Sequence, residues 1–280
     1  RGESEKILGH ILQGRRQNIV LATKCFWPMG HGPNDHGLSR KHIIEAVEAS
    51  LKRLQTDWID LLYVHIWDPV TPLEETMSAL NDLIRQGKVR YIGCSDFTGW
   101  QVSEAAACAR QHGWEDFICH QVEYSVLVRD IEVEIAPACR YNRVGLVAWS
   151  PLAGGMLTGK YKWQKADPKG SRFAGGESGK WWKERWATEE NYQAAEGFLK
   201  IAAEMKVSPV ALAVAYSLLP EGMDATIIGP KEEGQLADNL AGEEIEIPDE
   251  MRERLEALQP PPQLFPLKMQ EDAREIREST

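Results

Sequence analysis

DLLYVHIWDP, residues 60–69, holds the unbroken apolar run Leu61 to Val64, followed by His65 and Asp68. An apolar run without polar alternation is the pattern of a strand covered on both faces, as in a parallel sheet. The strand read from it spans 58–66, with His65 near its carboxyl end and Asp68 just past it. Moving outward, the same pattern recurs at 18–25, 89–94, 117–122, 145–149 and 225–229. Between these runs lie stretches of helical periodicity at 39–53, 73–85, 100–112, 130–141, 188–205 and 209–219, and the chain begins on another at 3–12. Ser39 is placed to cap a helix start, Gly87 to end a helix after Arg85, and Pro209 to occupy a first turn after Ser208.

Strand followed by helix, repeated, predicts parallel strands joined by right-handed crossovers. A closed (β/α) barrel and an open doubly wound sheet both satisfy this. No GxGxxG follows any of the strands, which counts against the open nucleotide-binding sheet. Distinctive polar residues stand instead just past several strand ends: Lys24, His65 and Asp68, Ser95 and Asp96, Gln121, and Ser150. Many strand ends contributing to one site is how a barrel builds chemistry. The count is six strands where an eight-stranded barrel needs two more, so the expectation is a barrel whose first strands precede residue 1.

Bulk properties narrow the function. Hydrophobic residues at 43% and charged residues at 26% are those of a globular chain, not a disordered one. The net charge of −10 argues against nucleic acid as a partner. No apolar run approaches the ~20 residues of a membrane span. Cys25, Cys94, Cys108, Cys119 and Cys139 show neither metal-type spacing nor a disulfide framework, which fits a reducing compartment, the cytoplasm. Residues 162–187, rich in Gly, Lys and Trp, read as a long surface loop over the active-site face, and 243–280 as a C-terminal helix and tail.

Seven segments in order resemble the aldo-keto reductase family, especially the branch containing potassium-channel beta subunits and related bacterial reductases. They are GESE (2–5), LATK (21–24), DLLYVHIWDP (60–69), GKVRYIGCSDF (87–97), HQVEYS (120–125), VAWSPLAGGMLTGKY (147–161) and IIGPKEEGQLADNL (227–240). The resemblance implies a single (β/α)8 TIM barrel over 1–280, α/β in class and incomplete at its start. It implies hydride transfer between NADP(H) and a carbonyl or alcohol, without metal, by an Asp, Tyr, Lys and His set. Lys24 and His65 match the last two, and the Asp and Tyr fall upstream of residue 1. Reduction leaves an oxyanion that must be protonated, and a tyrosine with a reference pKa near 10 needs an adjacent ammonium to serve as the acid. A histidine can donate a hydrogen bond to the substrate oxygen.

The same resemblance assigns the cofactor. Ser95 and Gln121 match carboxamide contacts, and Asp96 stands where asparagine is usual. Trp149 matches the residue stacked on the nicotinamide ring. Ser150, Pro151, Leu152, Gly154, Leu157 and Lys160 match the pyrophosphate loop, with Arg172 reaching a phosphate. Gly229, Lys231, Gln235 and Asn239 match the adenosine end. Lys231 favours the 2′-phosphate of NADP(H), while Glu232 and Glu233 oppose it and keep NAD(H) as the alternative. Trp27, Trp67, Trp181 and Trp182 are the candidate walls for a small-molecule substrate. The competing function is a cofactor-binding regulatory or channel-associated subunit with little turnover; oligomeric state is left open by the sequence.

Overall fold

The computed structural model describes residues 2–278, and tertiary contacts divide the chain into two units. The first is Arg1–Gln121 with Pro137–Gly145; the second is Val122–Ala136 with Leu146–Thr280.

The first unit runs α1 (Glu3–Ile11), β1 (Ala22–Cys25), α2 (Arg40–Leu54), β2 (Ile59–Val64), α3 (Leu73–Arg85), β3 (Val89–Ser95), α4 (Gly99–His112) and β4 (Phe117–Glu123), of which β4 ends in the second unit. It also takes most of α5 (Ile135–Asn142). The caps act as expected. The Ser39 hydroxyl accepts from His42 N–H at 3.3 Å, and Gly87 follows α3 in the left-handed region at φ 73°. The strand expected at 18–25 begins later. Arg16–Asn18 forms a 3₁₀ turn instead, because the Arg16 guanidinium donates to Ile19 O and Trp58 O and pairs with Asp60 at 2.7 Å. Asp60 also accepts from Leu21 N–H at 2.8 Å.

Strands β1 to β4 pair in parallel. The register sets Lys24, Tyr63, Gly93 and Cys119 in one row, Cys25, Val64, Cys94 and His120 in the next, and Ser95 beside Gln121 in a third. Side chains alternate faces along a strand, so the first and third rows share a face and the middle row takes the other. The middle row is buried, as are Ile43 and Val47 of α2, Met77 and Leu80 of α3, and Val102 and Ala105 of α4. Burial of these apolar stripes against the strands is the main source of stability for such layers. Gly93 serves the opposite face. A Cβ there would lie 2.8 Å from Tyr63 Cε1 and 2.9 Å from the Cys119 carbonyl oxygen. Its absence lets the Tyr63 ring lie across the neighbouring strand.

Asp68, just past β2, gathers the loops around it. Its carboxylate accepts from Leu38 N–H and the Thr71 hydroxyl, both at 2.8 Å, and from Val70 N–H at 2.9 Å and Thr71 N–H at 3.3 Å. This holds the β1–α2 loop against the β2–α3 loop.

In the second unit, β5 (Gly145–Trp149) pairs in parallel with β6 (Met223–Thr226), which begins before the expected 225 and stops before 229. Between them lie α6 (Gly176–Trp186), α7 (Glu189–Met205) and α8 (Pro209–Ser217); α9 (Glu233–Leu240), α10 (Asp249–Glu256) and α11 (Leu267–Glu278) follow. Ser208 caps α8 by accepting from Val210 N–H at 3.1 Å. The segment 162–187 is not all loop. Gly179, Trp182 and Trp186 recur at helical spacing in α6, and the flanking glycines mask that pattern in the sequence. The helix expected over 130–141 is also interrupted. Asp130–Glu132 is a 3₁₀ turn, and α5 starts late enough that Pro137, which lacks an N–H, falls in its first turn. The region 243–280 holds two helices, α10 and α11, where one was expected. Among the described residues no helix is long and apolar enough to cross a membrane.

Burial raises the Asp68 pKa, but the hydrogen bonds from Leu38, Val70 and Thr71 outweigh it, and the net value lies below the ordinary 3.8. A depressed carboxylate adds stability above its unfolded value and loses it as pH falls through the native one. Asp68→Ala is therefore expected to cost about 1–2 kcal/mol at neutral pH, a figure lowered for solvent access. The check is urea midpoints across pH, where the gap between wild type and variant should close below pH 3.8.

Candidate active site

The shared face of the first unit collects the chemistry. Lys24 and His65 are half-buried, and the Lys24 Nζ sits 5.5 Å from the Tyr63 ring centre. Burial pulls the Lys24 ammonium below its usual value, and the Asp96 carboxylate partly restores it. Burial, and then the charge of Lys24, push His65 down to about 4. His65 is therefore a neutral imidazole at neutral pH, beside a cation. His65 N–H donates to Cys25 O at 3.0 Å, which ties the end of β2 to β1. The Trp27 ring meets the His65 ring edge-on at 6.0 Å. Trp67 contacts Phe97 and Trp100, each at 5.3 Å.

Tyr63 stands beside Lys24 in register. Its phenol accepts from Cys119 Sγ at 3.3 Å, and burial raises its pKa far above the usual tyrosine range. Ser95 and Gln121 are adjacent in register and nearly inaccessible, at 1% and 6% exposure. Asp96 is exposed, in the left-handed region at φ 52°, with its N–H donating to Gln121 O at 3.1 Å.

The second unit holds a second assembly of expected residues. Ser150, Ala153, Gly154 and Gly155 all have positive φ, at 58°, 45°, 63° and 99°. Within this turn Ala153 N–H donates to Ser150 O at 2.8 Å and Gly155 N–H to Leu152 O at 2.9 Å. A Cβ on Gly154 would lie 2.0 Å from the Trp186 ring, so packing requires that glycine, whereas Gly155 is favoured by its φ of 99°. Pro151 and Leu157 are buried, Leu152 is half-buried and Gly229 is exposed. Burial, and then the charges of Arg172 and Lys231, pull Lys160 below the usual lysine value. These three cations therefore share one neighbourhood, and among the described residues none is paired with a carboxylate.

The aromatic residues of α6 pack around this loop. The Arg172 guanidinium lies 5.2 Å over Trp182, which stacks on Trp186 at 4.6 Å and meets Trp149 edge-on at 6.4 Å. Trp182 stays part-exposed among these contacts. Trp181 stays half-exposed against it at 4.5 Å. Trp186 Nε1 donates to buried Glu123 at 3.1 Å, and Arg185 pairs with the same carboxylate. At the start of α9, the Gln235 side chain accepts from Lys231 N–H at 2.9 Å, and buried Asn239 donates to Gln235 O at 2.6 Å. Sequence reasoning passed over Tyr63, His120 and Glu123. Alternation along the strands would have put Tyr63 with Lys24 and His65, whereas Glu123 gave no local signal.

Among the described residues no three His, Cys, Asp or Glu side chains group so as to hold a metal ion. The first unit is a parallel α/β assembly with a lysine and a histidine at adjoining strand ends. The chain belongs to the aldo/keto reductase family, an oxidoreductase family whose model matches residues 1–260. Its parallel α/β architecture is consistent with the (β/α)8 barrel of that family. It is 40% identical over 243 residues to a "Probable voltage-gated potassium channel subunit beta" of Arabidopsis thaliana, covering 85% of this chain and 73% of the relative. A protein of the same description from Oryza sativa is 38% identical, with the same coverage. The "Uncharacterized oxidoreductase YrpG" of Bacillus subtilis is 38% identical over 268 residues, covering 93% of this chain and 79% of the relative.

If Lys24 depresses His65, Lys24→Met should raise the His65 pKa from about 4 toward the ordinary 6.5. An NMR titration of the His65 ring in both proteins checks this, and an unchanged inflection would contradict the coupling.

Proposed function

We propose that this protein is an NADP(H)-dependent oxidoreductase that reduces an aldehyde or ketone, or oxidises the corresponding alcohol. The observation that supports it most is the half-buried Lys24 beside a neutral His65. A neutral imidazole keeps an N–H to donate to the substrate oxygen. A nearby ammonium stabilises negative charge growing there, more strongly in a partly water-excluded site than in bulk water. Lys24 would also favour the ionised form of a phenolic proton donor placed beside it, the role that the resemblance gives to a tyrosine. Trp27, edge-on to His65, stands to wall the substrate there.

The cofactor supplies the hydride when bound. The residues present fit a phosphorylated dinucleotide. Lys160, Arg172 and Lys231 form a cationic group without a carboxylate partner among the described residues, which suits the phosphates of such a ligand. Ser95, Asp96 and Gln121 would hold the carboxamide, Trp149 the nicotinamide ring, and Lys231 with Gln235 and Asn239 the adenosine end. A cofactor-binding, channel-associated role is the second reading, favoured by the descriptions of the two plant relatives.

Titration of the full-length protein with NADPH and NADH, read by tryptophan fluorescence, tests the cofactor assignment. NADPH should bind at least about tenfold tighter than NADH, as one charge-assisted phosphate contact would give. Lys231→Ala should remove that difference and leave NADH unchanged. Equal binding of the two by wild type would refute the assignment.

A further inference from the structure

His120 lies on the buried face of β4, opposite the face that carries Lys24 and Gln121, and no part of the proposed reaction uses it. It is fully buried, at 0% exposure. Two contacts define its ring. Phe97 N–H donates to His120 Nε2 at 3.0 Å, and Cys139 Sγ of α5 lies 3.5 Å from His120 Nδ1. The Phe97 ring approaches edge-on at 6.4 Å.

These contacts fix the tautomer. A backbone N–H can only donate, so Nε2 must be the unprotonated nitrogen. A neutral ring then carries its proton on Nδ1. That N–H points to the Cys139 sulfur, which accepts, and a thiol donating to Nδ1 would leave the ring without any proton. Burial pulls His120 down to about 3, in keeping with a ring that stays neutral.

The acceptor serves the site on the other face. Two consecutive peptide N–H groups after β3 are held by two consecutive residues of β4: Asp96 N–H by Gln121 O at 3.1 Å, and Phe97 N–H by His120 Nε2. Together they hold a non-glycine residue, Asp96, at φ 52°. Such a conformation persists only where its surroundings impose it. Ser95 immediately precedes it, and the Asp96 carboxylate is the group that raises Lys24. We propose that His120, as its Nδ1–H tautomer braced by Cys139, is a positioning residue that locks the Ser95–Asp96–Phe97 turn, and so sets the carboxamide contacts of the nicotinamide. The lock stands on geometry alone; its effect on cofactor binding rests on the function proposed above.

Full-length wild type, His120→Leu and His120→Gln are compared. Leucine fills the space without an acceptor; glutamine returns an acceptor at about the reach of Nε2. Three readouts apply: the ¹⁵N tautomer of His120 in wild type, hydrogen exchange of the Phe97 amide, and the NADPH dissociation constant. The expected tautomer has its proton on Nδ1. His120→Leu should speed Phe97 exchange and weaken NADPH binding about tenfold each, the scale of one buried hydrogen bond, and His120→Gln should recover both to within about threefold. A proton on Nε2 overturns the proposal, as does a folded His120→Leu that binds NADPH like wild type. If His120→Leu does not fold, His120→Gln decides: near-wild-type exchange and affinity support the lock, and a tenfold loss refutes it. If wild type binds no NADPH, the proposed function falls, with the cofactor part of this inference; the tautomer and Phe97 exchange still decide the lock.

Discussion

Parallel pairing of β1 to β4 in one register places Lys24 against Tyr63 and Ser95 against Gln121, with a row of buried side chains between them. Everything in the first unit's site follows from that alignment. A slip of one residue in any strand would send its polar end to the helix-covered face, where a lysine or glutamine would have to be buried without partners. The apolar middle row, Cys25, Val64 and Cys94, opposes such a slip, because it fits only the side packed by the helices. Gly93 completes the arrangement by leaving room for Tyr63, whose ring then forms the surface beneath Lys24.

Electrostatics give the aligned residues their chemistry. Burial works against charge on both Lys24 and His65, and Lys24 adds to the effect on its neighbour. The outcome is one cation and one neutral donor, not two cations. Asp96 limits how far the lysine is depressed. The second unit uses shape as well as charge. Trp186 occupies the space that a side chain on Gly154 would need, and Glu123 fixes Trp186 from within. Trp182 in turn carries Arg172 on one face. The tryptophans of α6 thus act on the cationic loop, and Trp181 alone keeps substantial exposure.

Much of this was legible in the sequence. Apolar runs marked β1 to β5 and met β6 only at its last two residues, and capping residues such as Ser39, Ser208 and Gly87 marked helix ends, because these signals are local. Of the polar residues noted at strand ends, Lys24, Ser95 and Gln121 fall on one face by register. Features that depend on distant partners were not legible. The start of β1 moved because Asp60 takes the Leu21 N–H, and α6 was hidden because its buried positions alternate with glycines and lysines. His120 sits next to Gln121 in a buried run, and only the register shows that the two side chains face opposite ways.

The proposed function requires Lys24 beside His65 to support carbonyl reduction and not merely dinucleotide binding. The most direct test is the steady-state rate of NADPH consumption by full-length protein with an aromatic aldehyde, for wild type and Lys24→Met, with NADPH affinity measured alongside. Turnover by wild type is expected, with a fall of about a hundredfold or more in the variant at little cost in affinity, the scale of a lost acid–base partner. Wild type that binds NADPH without consuming it, or a variant as fast as wild type, would contradict it.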